Sequence, residues 1–164
     1  MMKHSLINLL KKHRILKHGN FTLRSGITSS YYCDIKEALG VPSILDLIIK
    51  EFLPIIPAKT TCIVGSGYGG ITLASLVAYK KKLPLVLVRD YMKDHGTKKV
   101  IDGYVPTKRD TVCIIDDVFT TGSSIRDTKE KLSALHVNFT KSVVVLNRSN
   151  SKTILSILNN KDLA

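Results

Sequence analysis

Apolar residues change their spacing along this chain, and each spacing predicts a different element. Leu6, Leu9, Leu10 and Leu16 recur at helical intervals, with Lys11, Lys12 and Arg14 between them. That predicts an amphipathic helix over residues 5–17, with Gly19 as its C-cap. Two short segments follow, Phe21-Thr22-Leu23-Arg24 and Tyr31-Tyr32-Cys33-Asp34, divided by Ser25-Gly26 and a polar turn. They predict two strands. Pro42 and Ser43 open a helix that ends near Pro54, with Ser43 as N-cap and Asp46 in the capping-box position.

From residue 61 the pattern alternates. Residues 61–64, 85–88, 111–115 and 142–146 are continuous apolar runs, and 71–80 and 123–135 read as helices between them. Strands apolar on both faces and joined by helices predict an α/β fold with a parallel sheet flanked by helices. The 164 residues fit one domain spanning 1–164, without repeat, linker or low-complexity segment. In such sheets ligands bind beyond the carboxyl ends of the strands. Those ends are the glycine-rich loop 65–70, Arg89-Asp90, Asp116-Asp117 and Asn147-Arg148. Residues 89–103 form a polar stretch with no clean period.

Composition adds boundaries. With 44% hydrophobic and 23% charged residues the chain is not a disordered one. No apolar run approaches the roughly 18 residues that span a bilayer. The basic N-terminus lacks a sustained apolar stretch and a small-residue cleavage site, so a cytoplasmic protein is expected. Cys33, Cys62 and Cys113 are odd in number and not at metal-ligand spacing, which predicts reduced thiols, with Cys62 and Cys113 buried in strands. The net charge of +12, from 25 basic and 13 acidic residues, calls for an anionic partner. Nucleic acid and a polyphosphate both qualify on charge alone.

The end of the third apolar run narrows that choice. Asp116 and Asp117 are followed by Val118, Phe119, Thr120, Thr121, Gly122, Ser123 and Ser124, which open a helix. A helix N-terminus presents unpaired N–H groups and a positive dipole end to an anion. Gly122 allows close backbone approach, four hydroxyls can donate, and two carboxylates can accept from the hydroxyls of a ribose. This chemistry suits a sugar phosphate. Residues 65–70 lack the Lys-Ser or Lys-Thr ending of a nucleoside triphosphate loop.

The segment from Cys113 to Ser124 resembles the phosphoribosyl pyrophosphate (PRPP) signature of type I phosphoribosyltransferases. The resemblance implies that Asp116 and Asp117 hold the ribose hydroxyls and that the turn from Thr120 to Ser124 holds the 5-phosphate. It also makes residues 65–70, with Tyr68 and Gly69, the pyrophosphate loop, where some members carry Lys in place of Gly69. Three further segments are similar to the orotate phosphoribosyltransferases. Residues 21–34 match a small N-terminal hood, with elements from about 1–40, that covers the base. This implies base contacts from Arg24, where many members have Lys, and from Tyr31 and Tyr32. Arg89, Lys93, His95 and Gly96 match a catalytic loop, although many members carry Lys where Asp90 stands. Asn147-Arg148 matches a strand end that is commonly Asp-Arg, and Arg148 would meet the orotate carboxylate beside Thr120. The resemblance covers residues 18 to 150.

What the resemblance implies is transfer of ribose 5-phosphate from PRPP to orotate, giving orotidine 5'-monophosphate and pyrophosphate in pyrimidine biosynthesis. Arg89, Lys93 and His95 would stabilise the leaving pyrophosphate. Magnesium would arrive with PRPP rather than in a protein cage. A homodimer is implied, with the 89–103 loop shared across subunits, and neither membrane nor nucleic acid is an expected partner. Two alternatives stay open: a phosphoribosyltransferase for another base such as a purine, and a PRPP-sensing nucleic-acid regulator on the same fold. The basic residues of the N-terminal helix motivate the second.

Overall fold

In the computed structural model, which describes residues 2–22, 28–89, 99–149 and 151–163, the four apolar runs lie side by side in one sheet. The chain runs through α1 (Met2–Lys12), β1 (Leu16–Thr22), β2 (Thr28–Cys33), α2 (Ile35–Leu39), α3 (Pro42–Ile55), β3 (Cys62–Ser66), α4 (Gly67–Lys81) and β4 (Leu85–Val88). It continues through β5 (Ile101–Gly103), β6 (Thr111–Phe119), α5 (Ser123–Leu132), β7 (Asn138–Phe139), β8 (Val143–Asn147), β9 (Leu155–Asn159) and α6 (Asn160–Leu163). Among the described residues the main sheet has the order β5-β4-β3-β6-β8-β9, with β7 beside β6. All its pairings are parallel except β4–β5. The α/β class with a parallel sheet flanked by helices is therefore as expected.

In β3 and β6 neighbouring residues alternate between the two faces, as the two-residue period of a strand demands. Ile63, Cys113, Ile115, Val143 and Val145 join one core with Ile44, Ile48 and Phe52 of α3 and Leu73 and Val77 of α4. Val64, Val112, Ile114 and Val144 join the other with Ile125 and Leu132 of α5. Both faces are covered, so β3 and β8 are buried along their whole length. Cys33, Cys62 and Cys113 are buried free thiols, and burial pushes each up to about 11. No helix among the described residues is long and apolar enough to cross a membrane.

Ahead of the sheet, β1 and β2 form an antiparallel hairpin. The first helix ends at Lys12, not Lys17. Arg14 takes a left-handed φ of 57° and Ile15 N donates to Leu10 O at 2.9 Å. Ile15 and Leu16 are almost fully buried, which the helix could not achieve by running straight on. Gly19 therefore is not a C-cap but a residue of β1, where a Cβ would lie 3.4 Å from the Phe21 ring. The Ser43 cap also gives way. Val41 takes the N-cap position with no side-chain bond, Pro42 opens α3, and Asp46 pairs forward with Lys50 at 2.7 Å. The helix expected over 123–135 stops at Leu132 and closes with a 3-10 turn over Ser133–Leu135.

Candidate active site

The central strand β6 is longer than its apolar run. It passes through both acids, because Asp116, Val118 and Phe119 pair with Val144, Leu146 and Asn147 of β8. The carboxylates thus stand at the carboxyl end of the sheet, held by strand geometry rather than in a loop. Asp116 Oδ2 accepts from Ser124 Oγ at 2.8 Å and its Oδ1 accepts from Asp117 N at 2.9 Å. Asp117 Oδ1 accepts from Val118 N at 2.9 Å, and its Oδ2 pairs with Lys36 Nζ at 2.7 Å. Burial first, and the neighbouring Asp117 second, push Asp116 up to about 7. Lys36 is pushed up, chiefly by its hydrogen bond to Asp117.

The turn that follows is built around Gly122, which has a left-handed φ of 76° as the N-cap of α5. A Cβ there would lie 2.7 Å from the Phe119 ring, so glycine is required twice over. Arg126 Nη1 donates to Thr121 O at 2.7 Å and braces the turn from the helix behind it. Asp116, Val118, Phe119, Thr120, Gly122, Ser123 and Ser124 line one pocket of about 30 Å³. The helix N-terminus opens onto it.

A second helix end closes the other side of the acids. α4 starts at Gly67, immediately after β3, so the expected loop 65–70 is a tight strand-to-helix turn. Early termination of the loop follows from Gly67, whose φ of 64° turns the chain. A Cβ at Gly69 would lie 2.5 Å from Asp117 Oδ2, and one at Gly70 would lie 2.9 Å from Ile115 O. These glycines let the first turn of α4 rest directly on the end of β6. Tyr68, between them and Gly67, is 90% exposed.

Arg148 links this acid end to the hairpin. Its backbone N donates to Phe119 O at 2.8 Å. Its guanidinium lies 4.8 Å from the Tyr31 ring centre and donates through Nη2 to Ser29 Oγ at 3.2 Å. Tyr31 is buried and its hydroxyl donates to Asn160 Oδ1 at 2.5 Å, while Asn160 Nδ2 donates to Arg148 O at 2.7 Å. His18 Nε2 lies 3.1 Å from Leu163 O. The hairpin is therefore docked on the far carboxyl end of the sheet. Tyr32 points the other way, partly exposed, with its ring 5.7 Å from that of Phe21.

Of the residues singled out in the sequence, the structure brings together Asp116 through Ser124, Gly69, Tyr31 and Arg148. Arg89 stands apart at the end of β4, where its Nη2 pairs with Asp102 Oδ2 at 2.5 Å across the β4–β5 pairing. Its carbonyl accepts from Lys131 Nζ at 2.9 Å. Arg24, Lys93 and His95 lie outside the described residues. Sequence reasoning missed Lys36 and Asn160. Lys36 falls on the short helix α2, which carries too few residues for a periodic signal; Asp34 as a capping residue was its one visible mark. Asn160 follows β9, a strand in the tail that held no motif.

Among the described residues no group of three or more His, Cys, Asp or Glu could cage a metal ion. Two adjacent carboxylates do fit magnesium that keeps a substrate's phosphate oxygens as further ligands.

The fold is that of the type I phosphoribosyltransferases. It superposes on a crystal structure of orotate phosphoribosyltransferase from Aeropyrum pernix with a TM-score of 0.81 and 28% identity, covering 96% of this chain and 95% of that one. No protein-family model matches the chain. Orotate phosphoribosyltransferase of Methanosphaera stadtmanae is 35% identical over 147 residues, which cover 89% of this chain and 82% of the relative. That of Pyrococcus horikoshii is 39% identical over 127 residues, covering 76% and 68%. The chain belongs to the orotate phosphoribosyltransferase family.

Proposed function

We propose that this chain transfers ribose 5-phosphate from PRPP to orotate, releasing pyrophosphate and forming orotidine 5'-monophosphate. One observation carries the reading: Arg148 N is bonded to Phe119 O, so a guanidinium suited to a carboxylate and a turn suited to a ribose phosphate sit side by side at the ends of the paired strands β6 and β8. Asp116 and Asp117 accept from the ribose 2- and 3-hydroxyls. The first N–H groups of α5, with Thr120, Thr121, Ser123 and Ser124, hold the 5-phosphate. The first turn of α4, with Tyr68 and Gly69, faces the pyrophosphate.

Magnesium bound with PRPP supplies positive charge against the leaving group, and Asp116 and Asp117 are the residues that would face it. The C1–oxygen bond loosens towards an oxocarbenium-like state, and a ring nitrogen of orotate attacks C1. Lys93, His95 and Arg89 stabilise the departing charge. Arg89 works from the neck of its segment, braced by Asp102. Arg148 pairs with the orotate carboxylate, for which its forked donors suit a two-point contact. Arg24, Tyr32 and Thr120 border the base. Tyr31 acts through Arg148, whose guanidinium rests on its ring.

Mixing the protein with PRPP, magnesium and orotate and following the orotate absorbance tests the reading. Loss of orotate with formation of its nucleotide supports it; unchanged orotate in the presence of folded protein refutes it. The reading includes a homodimer whose 89–103 segment serves the partner's site. Lys93→Ala and Asp117→Asn variants, each inactive alone, then regain activity when mixed and allowed to exchange subunits. A mixture that stays inactive despite exchange removes the shared loop.

A further inference from the structure

Lys36 has no part in the reading above, yet it reaches the centre of the site. Its backbone is fixed at the start of α2, where Lys36 N donates to Asp34 Oδ1 at 2.9 Å. Its side chain is 61% exposed, whereas the Asp117 carboxyl it meets is only 9% exposed. One member of the pair can swing and the other cannot, because Asp117 Oδ1 is held by Val118 N. The oxygen that Lys36 contacts, Oδ2, is also the atom 2.5 Å from the Cβ position of Gly69. An ammonium, a ribose-facing carboxylate and the first turn of α4 therefore meet at one point. Residues 65–70 contain no cation of their own. Pyrophosphate carries several negative charges, and backbone N–H groups supply only partial charge against them.

We propose that Lys36 is a further PRPP-binding residue, which rests on Asp117 in the free protein and, when PRPP binds, carries its ammonium onto the pyrophosphate oxygens at the first turn of α4. The proposal rests on the PRPP reading and deepens it. A ribose hydroxyl donating to Asp117 Oδ2 takes the position that the ammonium holds. The flexible four-carbon stem lets the charge move to the adjacent anion, so Lys36 exchanges one carboxylate for a more highly charged partner. A lysine ammonium ordinarily ionises at about 10.4, so Lys36 is cationic on either partner.

Calorimetry with three probes separates this from a role on Asp117 alone. PRPP and inorganic pyrophosphate carry the diphosphate, whereas ribose 5-phosphate lacks it; each is titrated with magnesium present. In Lys36→Met, affinity for PRPP and pyrophosphate falls about 10- to 100-fold, the range for one charge-assisted hydrogen bond. Ribose 5-phosphate binding is unchanged, which also certifies that the variant is folded, and Lys36→Arg restores most of the loss. Equal weakening of ribose 5-phosphate and PRPP overturns the proposal, as does PRPP binding that Lys36→Met leaves intact. A wild-type protein that binds none of the probes overturns the PRPP reading itself.

Discussion

The two halves of the site are built in opposite ways. The half proposed for the ribose phosphate is written in one stretch, Asp116 to Ser124, and its geometry follows from a strand, a left-handed glycine and a helix N-terminus. The half proposed for the base is assembled from distant pieces: Ser29 and Tyr31 from the hairpin, Arg148 from the end of β8 and Asn160 from the tail. A contiguous site inherits its shape from backbone rules, so its side chains need little outside support. An assembled site depends on docking, and each contact across it holds part of the alignment. Damage to the first half should therefore be local and chemical, and damage to the second should spread into stability.

The largest effect falls on the contiguous half. Asp117→Asn should weaken PRPP binding by about 100-fold, near 3 kcal/mol for a lost charged hydrogen-bond partner, with little change in melting temperature. Calorimetry and a melting curve check both parts. Arg148→Ala should raise the orotate KM by about 10- to 30-fold with the PRPP KM unchanged, and Arg148→Lys should recover only part, since Lys lacks the fork. Steady-state kinetics with each substrate varied would blur the division if both KM values moved together.

Third, Asp116→Asn should raise the melting temperature at pH 8. An unfolded Asp ionises near about 3.9, but Asp116 in the fold is pushed up to about 7. The folded chain thus holds that proton more tightly. The resulting stability is full below the unfolded value and is lost as pH rises through about 7. Ionised beside Asp117 at pH 8, the wild type is at a disadvantage of about 1–2 kcal/mol that Asn removes. The gap should close as pH falls through about 7 and vanish below about 4, where Asp116 is protonated in both states. Melting curves across that range test the sign. Smallest of the four, Tyr31→Phe removes the hydroxyl bonded to Asn160 and should lower stability by about 1 kcal/mol. An unaltered melting temperature would show that the hairpin docks without it.

The same contrast explains what could be read in advance. The four parallel strands were legible because burial on both faces leaves an unbroken apolar run, as in β3 and β8. The acid turn was legible because its chemistry is local. The end of the first helix was not, since the bend at Arg14 answers to burial of Ile15 and Leu16 by tertiary contacts. Ser43 was misread as a cap because a preceding proline satisfies the helix start without a side-chain bond. The partnership of Tyr31 with Asn160 spans 129 positions and leaves no periodic trace. Gly69 read as a missing cation, whereas in space its bare backbone is what Asp117 requires.

That last glycine has a consequence for engineering. Alanine usually improves a helix that begins with glycines, by up to about 1 kcal/mol each. In α4 the sign reverses at positions 69 and 70, where the added methyl would strike Asp117 or the Ile115 carbonyl. A library screened for heat resistance should gather alanines on other helices and leave these two untouched. Any survivor with a side chain at position 69 should come paired with a compensating change at 117, trading catalysis for endurance.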